Sequence, residues 1–98
     1  MPLGIKLSMY TPHQTSQYKS DIKKIKKQGK NLHLLKDIVS RLLDGEILPE
    51  KYKDHELKGN KKGIRDCHLE PDWLLLYRMD KENKILTLIR TGSHSDLF

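Results

Sequence analysis

Apolar and polar positions along this chain follow two rhythms. Leu3, Ile5, Leu7 and Met9 occupy every second position, the period of a strand with one buried face. Thr11-Pro12 predicts its end, because proline cannot donate to a ladder. The period then lengthens. Thr15 or Ser16 can cap a helix running to about Gln28, where Gly29 stops it. Tyr18, Ile22 and Ile25 fall on one face of that helix; Lys19, Lys23, Lys24, Lys26 and Lys27 cover much of the rest. Asn31 can cap a second helix. Along it Leu32, Leu35, Val39 and Leu42 recur at helical spacing, and Leu34, Ile38 and Leu43 widen the stripe until Asp44-Gly45 closes it. The short gap between the two predicts an antiparallel helical hairpin.

A loop of roughly eighteen residues follows, carrying Pro49, Gly59 and Gly63; loops of that length in a small domain are usually functional or disordered. Strand signals then return over residues 64–69, 73–79 and 84–91, with Pro71 at the first junction and a short turn at residues 80–83. The order β-α-α-β-β-β predicts an α+β fold of two layers, an antiparallel-rich sheet with the helical hairpin packed on one face. Alternation sorts the side chains. Cys67 and Leu69 share one face and Asp66 and His68 the other; Trp73, Leu75 and Tyr77 share a face, as do Leu86, Leu88 and Arg90. The face away from the helices and its rim are left to polar groups, where His68, Arg90 and the strand-terminal His94 could converge.

Size and charge narrow the field. A chain of 98 residues makes a single domain, expected here over residues 1–98, which buries roughly 60–70% of its unfolded surface in one modest core. Charged residues reach 33% and the formal charge is +6, with a pI near 9.5. That balance points to a polyanionic partner: nucleic acid first, an acidic protein second, an anionic membrane surface third. No apolar run approaches the ~20 residues needed to cross a bilayer. The first residues lack the apolar core and cleavage site of a secretory signal. The single Cys67 excludes an internal disulfide and fits a reducing compartment, so the cytoplasm is the expected location and no membrane partner is expected.

The second half carries the chemistry: Tyr52-Lys53-Asp54-His55-Glu56-Leu57, then Arg65-Asp66-Cys67-His68-Leu69-Glu70-Pro71-Asp72-Trp73, then Arg90-Thr91-Gly92-Ser93-His94. Imidazoles move protons near neutral pH, and an arginine can hold a phosphate in two parallel hydrogen bonds. A basic chain with this set looks like one that cuts RNA without a metal or other cofactor.

In register, Tyr-Lys-Asp-His-x-Leu, Gly-x-Arg-Asp-x-His-x-Glu-Pro-Asp-Trp-x-Leu-x-Tyr and Arg-Thr-Gly-x-His-x-x-Leu-Phe closely resemble the YafQ branch of the RelE/ParE toxin superfamily, over roughly residues 10 to 98. The resemblance implies the RelE-like fold in the same β-α-α-β-β-β order. It also implies a toxin of a type II toxin–antitoxin module, an endoribonuclease that cuts messenger RNA in the ribosomal A site and is silenced by a cognate acidic antitoxin. The implied partners are that antitoxin, the 70S ribosome and mRNA. Carried over by motif, the functional positions are His55, His68, Asp72, Trp73, Arg90, His94 and Phe98. Several residues precede the matched part, so Met9 is an alternative start to Met1.

The implied reaction is attack of a ribose 2′-OH on the adjacent phosphate. It needs a base for the 2′-OH, an acid for the leaving 5′-oxygen and positive charge for the phosphate. His94 is expected to be the acid and Arg90 the phosphate ligand. His55, His68 and Asp72 share the base and orienting roles, with the choice among them open. Trp73 and Phe98 offer faces for base stacking, worth roughly 1–3 kcal/mol each, and Lys23 and Lys27 are expected to contact RNA.

Plainer readings compete. His13 and His33 are expected to be solvated. Trp73 at a strand start could be core, Asp72 a turn cap, Arg90 an edge arginine paired with an acid such as Asp66, and Cys67 a small core residue. Ser93-His94-Ser95-Asp96 has triad composition but is a local run, and triads require convergence in space. Two other functions are weighed. One is a ParE-like toxin that inhibits DNA gyrase by binding, although that group does not carry this histidine set. The other is a zinc site made of His55, His68, His94 and Asp72, whose spacing matches no metal motif.

Overall fold

The structure is a computed structural model describing residues 8–61 and 63–98. Its elements run β1 (Thr11–Gln14), α1 (Ser16–Lys27), α2 (Leu32–Leu43), β2 (His55–Glu56), β3 (Arg65–Glu70), β4 (Trp73–Asp80), β5 (Ile85–Gly92) and α3 (His94–Leu97). Short 3₁₀ turns at Glu50–Tyr52 and Gly59–Lys61 flank β2.

Both long helices begin where their caps predict. Thr15 Oγ1 accepts the N–H of Tyr18 at 3.0 Å, and Asn31 Oδ1 accepts those of His33 and Leu34 at 3.1 and 3.3 Å. Gly29 (φ +74°) and Gly45 (φ +75°) supply the left-handed residues just beyond the two helix ends.

The sheet order is β1-β5-β4-β3-β2. β1 pairs parallel with β5, and the other pairings are antiparallel. Three expectations are corrected here. Most of the strand expected at Leu3 to Met9 lies outside the described residues; Met9 is an exposed bend, and β1 instead begins at Thr11, where a strand was expected to end. Pro12 is tolerated because β1 is an edge. Thr11 and Thr15 donate to the Lys84 and Leu88 carbonyls, so the alternation turns Pro12 outward, where no donor is needed. The long loop is not structureless, since it contains β2, whose His55 stands opposite Asp66. A final turn of helix, α3, follows β5, where residues 93–98 carried no helix in the sequence reading.

One layer of core lies between the helices and the sheet. Tyr18 and Ile25 of α1 and Leu35, Ile38 and Leu42 of α2 meet Cys67, Leu69, Trp73, Leu75, Tyr77, Leu86 and Leu88 of the strands. Fully buried aliphatics of this size contribute roughly 1.5–3 kcal/mol each. The sheet's opposite face is set by register. Across it His55, Asp66, Leu76 and Arg90 form one row, and His68, Leu74 and Gly92 form the next. Leu74 and Leu76 are buried and form its floor.

Arg90 reaches that row through a bulge. Strict alternation would place it with Leu86 and Leu88 toward the helices. The register passes instead from Tyr77↔Leu88 to Leu76↔Arg90, leaving Ile89 extra and carrying Arg90 to the face of Asp66 and His68.

Candidate active site

The face described above gathers three imidazoles. The rings of His68 and His94 lie 5.6 Å apart at 66°, and those of His55 and His68 lie 6.5 Å apart. His68 is supplied by β3, between its bulge and the buried Asp66. His94 begins α3, which starts immediately past the end of β5. Its position follows from a capping box: Ser93 Oγ accepts the Asp96 N–H at 3.2 Å while Asp96 Oδ2 accepts the Ser93 N–H at 3.1 Å. Lys24 of α1 ties Asp96 down at 2.7 Å. The Ser93-His94-Ser95-Asp96 run is therefore a helix cap and no triad.

Asp72, in the β3–β4 turn, receives both the backbone N–H of His94 at 3.0 Å and its Nδ1 at 2.7 Å. These two bonds from His94 hold the Asp72 carboxyl below the usual carboxylate range. A ring donating from Nδ1 to Asp72 leaves Nε2 for the substrate.

His55 is oriented from its other side, with Nδ1 2.6 Å from the Lys53 carbonyl. Its Nε2 turns toward Asp66, whose Oδ2 lies 3.9 Å from the Nε2 of both His55 and His68. Asp66 is 5% exposed, and its Oδ1 is buried with no hydrogen-bond partner among the described residues. Burial pushes its carboxyl up, and the neighbouring imidazoles His68, His55 and His94 pull against that.

The Arg90 guanidinium grips Asp21 of α1 through Nε at 2.8 Å and Nη2 at 3.1 Å. The acid paired with Arg90 is thus Asp21, not Asp66. The same Asp21 carboxylate accepts the buried N–H of Thr91 at 3.1 Å, satisfying a β5 donor beyond the reach of β1.

Trp73 requires a correction. It is 0% exposed, and its Nε1 donates to Thr91 Oγ1 at 2.9 Å, so neither ring face is open to a base. The tryptophan starts a strand on the helix-facing side, where its area is worth more as core. Phe98 differs: it is 57% exposed, with the Lys61 ammonium 4.3 Å from its ring centre. Lys23 and Lys27 are exposed on α1, and His13 and His33 are also exposed. Cys67 is fully buried and its thiol pushed far up by burial, as befits a core residue. Among the described residues, no three His, Cys, Asp or Glu side chains are grouped so as to hold a metal ion.

Two acids escaped the sequence reading as site residues. Asp21 left a signal, since it interrupts the Tyr18–Ile22–Ile25 stripe, where a carboxylate must find a partner or be expelled. Asp66 shares the polar face with His68 by simple alternation, but nothing local betrays its burial.

The chain matches the family described as bacterial toxin of type II toxin–antitoxin system, YafQ, over residues 10–98. It is 42% identical to the mRNA interferase toxin YafQ of Escherichia coli K12 over 85 residues, which are 86% of this chain and 90% of that protein. The toxin in the E. coli DinJ-YafQ toxin–antitoxin complex superposes with a TM-score of 0.84 at 40% identity, covering 92% of this chain and 98% of that one. A metal-bound toxin from Helicobacter pylori gives 0.86 at 44% identity, covering 92% of this chain and all of that one. With its helical hairpin over the sheet and His55, His68 and His94 gathered on the sheet's other face, the chain belongs to the YafQ family of bacterial toxins from type II toxin–antitoxin systems.

Proposed function

We propose that this toxin is a ribosome-dependent endoribonuclease that cuts translated mRNA in the A site, acting by 2′-OH attack on the adjacent phosphate. The observation that carries the reading is the pairing of His94 with His68 at 5.6 Å on the face that also bears Arg90. One proton acceptor and one proton donor on either side of a phosphate are what the reaction needs, with a guanidinium to take the charge on its oxygens. No step calls for a metal ion.

His94 is the general acid. Asp72 orients its ring through Nδ1 and leaves Nε2 to donate to the leaving 5′-oxygen. His55 and His68 flank the opposite side, and one of them takes the 2′-OH proton, with Asp66 as their shared anionic neighbour. Asp72 is committed to His94, which makes it an orienting group rather than the base. Arg90, gripped from behind by Asp21, holds the phosphate. Phe98 offers a stacking face, and Lys23 and Lys27 meet RNA phosphates. Trp73 supports the site from within the core.

The partners are the 70S ribosome, mRNA and a cognate acidic antitoxin, in the cytoplasm, and one domain carries all of this. The groove between α1 and α2 suits the antitoxin. Tyr18, Ile22, Leu35 and Val39 line it, Lys19, Lys23, Lys26 and Lys36 rim it, and its volume is about 790 Å³. An amphipathic acidic segment laid there buries apolar surface while pairing its charge.

The test is cleavage of mRNA in a translating extract by the wild type and by His94→Ala, mapped by primer extension. Codon-phased, ribosome-dependent cuts that disappear in the variant and persist in chelator are expected. Intact mRNA despite arrested growth overturns the nuclease reading and directs the search to gyrase or another bound target.

A further inference from the structure

Little backbone holds the segment that carries His55. β2 is two residues long and stands at the sheet's edge, pairing through His55↔Asp66 and Glu56↔Arg65, with one further backbone bond from the Leu57 N–H to the Ile64 carbonyl at 2.8 Å. A strand so short, exposed on one side, frays readily. Yet the His55 ring has a defined orientation, because Lys53 sits in the left-handed region at φ 49° and turns its carbonyl onto His55 Nδ1. A left-handed non-glycine residue costs roughly 1–2 kcal/mol and persists only where its surroundings enforce it.

The enforcing group is the residue between them. Asp54 Oδ1 accepts the Tyr77 hydroxyl at 2.6 Å and Arg65 Nε at 3.2 Å, and the same Arg65 Nε lies 3.3 Å from the Tyr77 oxygen. Tyr77 is 1% exposed in the middle of β4, so the core fixes where its hydroxyl points. A phenylalanine would fill the same volume. The hydroxyl's contribution is therefore its bond to the turn and not the packing of the ring.

We propose that Tyr77 and Arg65, acting through Asp54, are positioning residues for His55. They pin the Lys53–His55 turn to the sheet, so that Nδ1 stays engaged by the Lys53 carbonyl and Nε2 faces Asp66 and the reacting groups. The proposal deepens the nuclease reading and rests on it for its effect on rate. Neither Tyr77 nor Arg65 takes part in a proton transfer.

The experiment uses the full chain carrying Tyr77→Phe, alone and combined with His55→Ala. Three quantities are measured: thermal unfolding, the ¹⁵N shifts of the His55 ring, and mRNA cleavage in a reconstituted translation system. Tyr77→Phe is expected to remain folded. Its His55 shifts should move toward a tautomer mixture, and cleavage should fall roughly tenfold or more, the scale of one lost hydrogen bond to a charged group. Added to His55→Ala, it should cost less than about twofold further, since its effect passes through that ring. Unchanged His55 shifts, or the same loss with and without His55, overturn the proposal. If His55→Ala itself cleaves normally, the catalytic reading of His55 fails, while the ring shifts still decide whether the anchor works. Should Tyr77→Phe not fold, Asp54→Asn, at the outer end of the network, takes the same three measurements.

Discussion

A single oxygen of Asp72 receives both ends of His94, the backbone N–H at 3.0 Å and the ring Nδ1 at 2.7 Å. Asp72→Asn keeps an acceptor in place but replaces two bonds to a charged oxygen with weaker neutral ones, loosening the hold on the ring's orientation. Both side chains are half or more exposed, 52% and 69%, so the fold gains little from the pair. Cleavage by Asp72→Asn in a reconstituted translation system is expected to fall roughly tenfold, with the thermal unfolding curve almost unmoved.

Asp66 presents the opposite balance. Its carboxyl is pushed up by burial, so the folded state binds a proton there more tightly than the unfolded chain does. The ionised form therefore costs stability at pH values above the raised value. The cost disappears once the pH falls below the usual carboxylate range. Asp66→Asn should raise the unfolding temperature at pH 7, with the gain shrinking toward pH 3, while cleavage falls because His55 and His68 lose their anionic neighbour. Calorimetry across that range beside a cleavage assay checks both halves; an unfolding temperature lowered at pH 7 would contradict the first.

Arg90 depends on its grip. Asp21 holds it through two bonds and also accepts the Thr91 N–H. Asp21→Ala strands both partners and should cost about 1–3 kcal/mol for the buried N–H alone, read from urea unfolding. Arg90→Lys keeps the charge but loses the fork. Its cleavage should drop roughly ten- to a hundredfold while the protein stays folded.

The C-terminal turn has its own acid limit. The Lys24 bond, then the Ser93 bonds, lower the Asp96 carboxyl from 3.8 to about 2. Its contribution to docking α3 is complete above the ordinary value and is lost as the pH falls through about 2. A ¹³C titration of the Asp96 carboxyl should show that low midpoint in the wild type and an upward move in Lys24→Met. Gly92 adjoins this carboxyl so closely that an added Cβ would stand 3.2 Å from it, so Gly92→Ala should loosen His94 as well.

How much of this could be read from the sequence depended on whether the cause was local. Thr15 and Asn31 cap their helices with their own side chains, so both helix starts were legible. Strand alternation placed Asp66 and His68 correctly because β3 is regular at those positions. It failed for Arg90, since the extra residue Ile89 is defined only by pairing with β4. It missed β2 because a two-residue strand has no period to detect. Trp73 stays open between base platform and core in the sequence, because burial on the helix-facing side depends on the tertiary fold. The partnership of Asp54, Arg65 and Tyr77 joins a turn to two strands and left no mark in any one of them.

The parallel pairing of β1 with β5 bears on how the chain reaches this fold. The Thr15 hydroxyl bonds the Ile89 carbonyl, 74 positions away, at 2.7 Å. The last strand in the chain lies between the first and the fourth, so α1 and α2 have no complete surface to settle on until β5 is in place. Closing so large a loop is entropically unfavourable, and topologies dominated by such contacts fold slowly for their size. The β3–β4–β5 meander is joined by short connections, whereas β1 reaches β5 only across most of the chain. During synthesis the helical hairpin emerges from the ribosome ahead of β3, β4 and β5 and waits, with its apolar face uncovered, for the strands that will bury it.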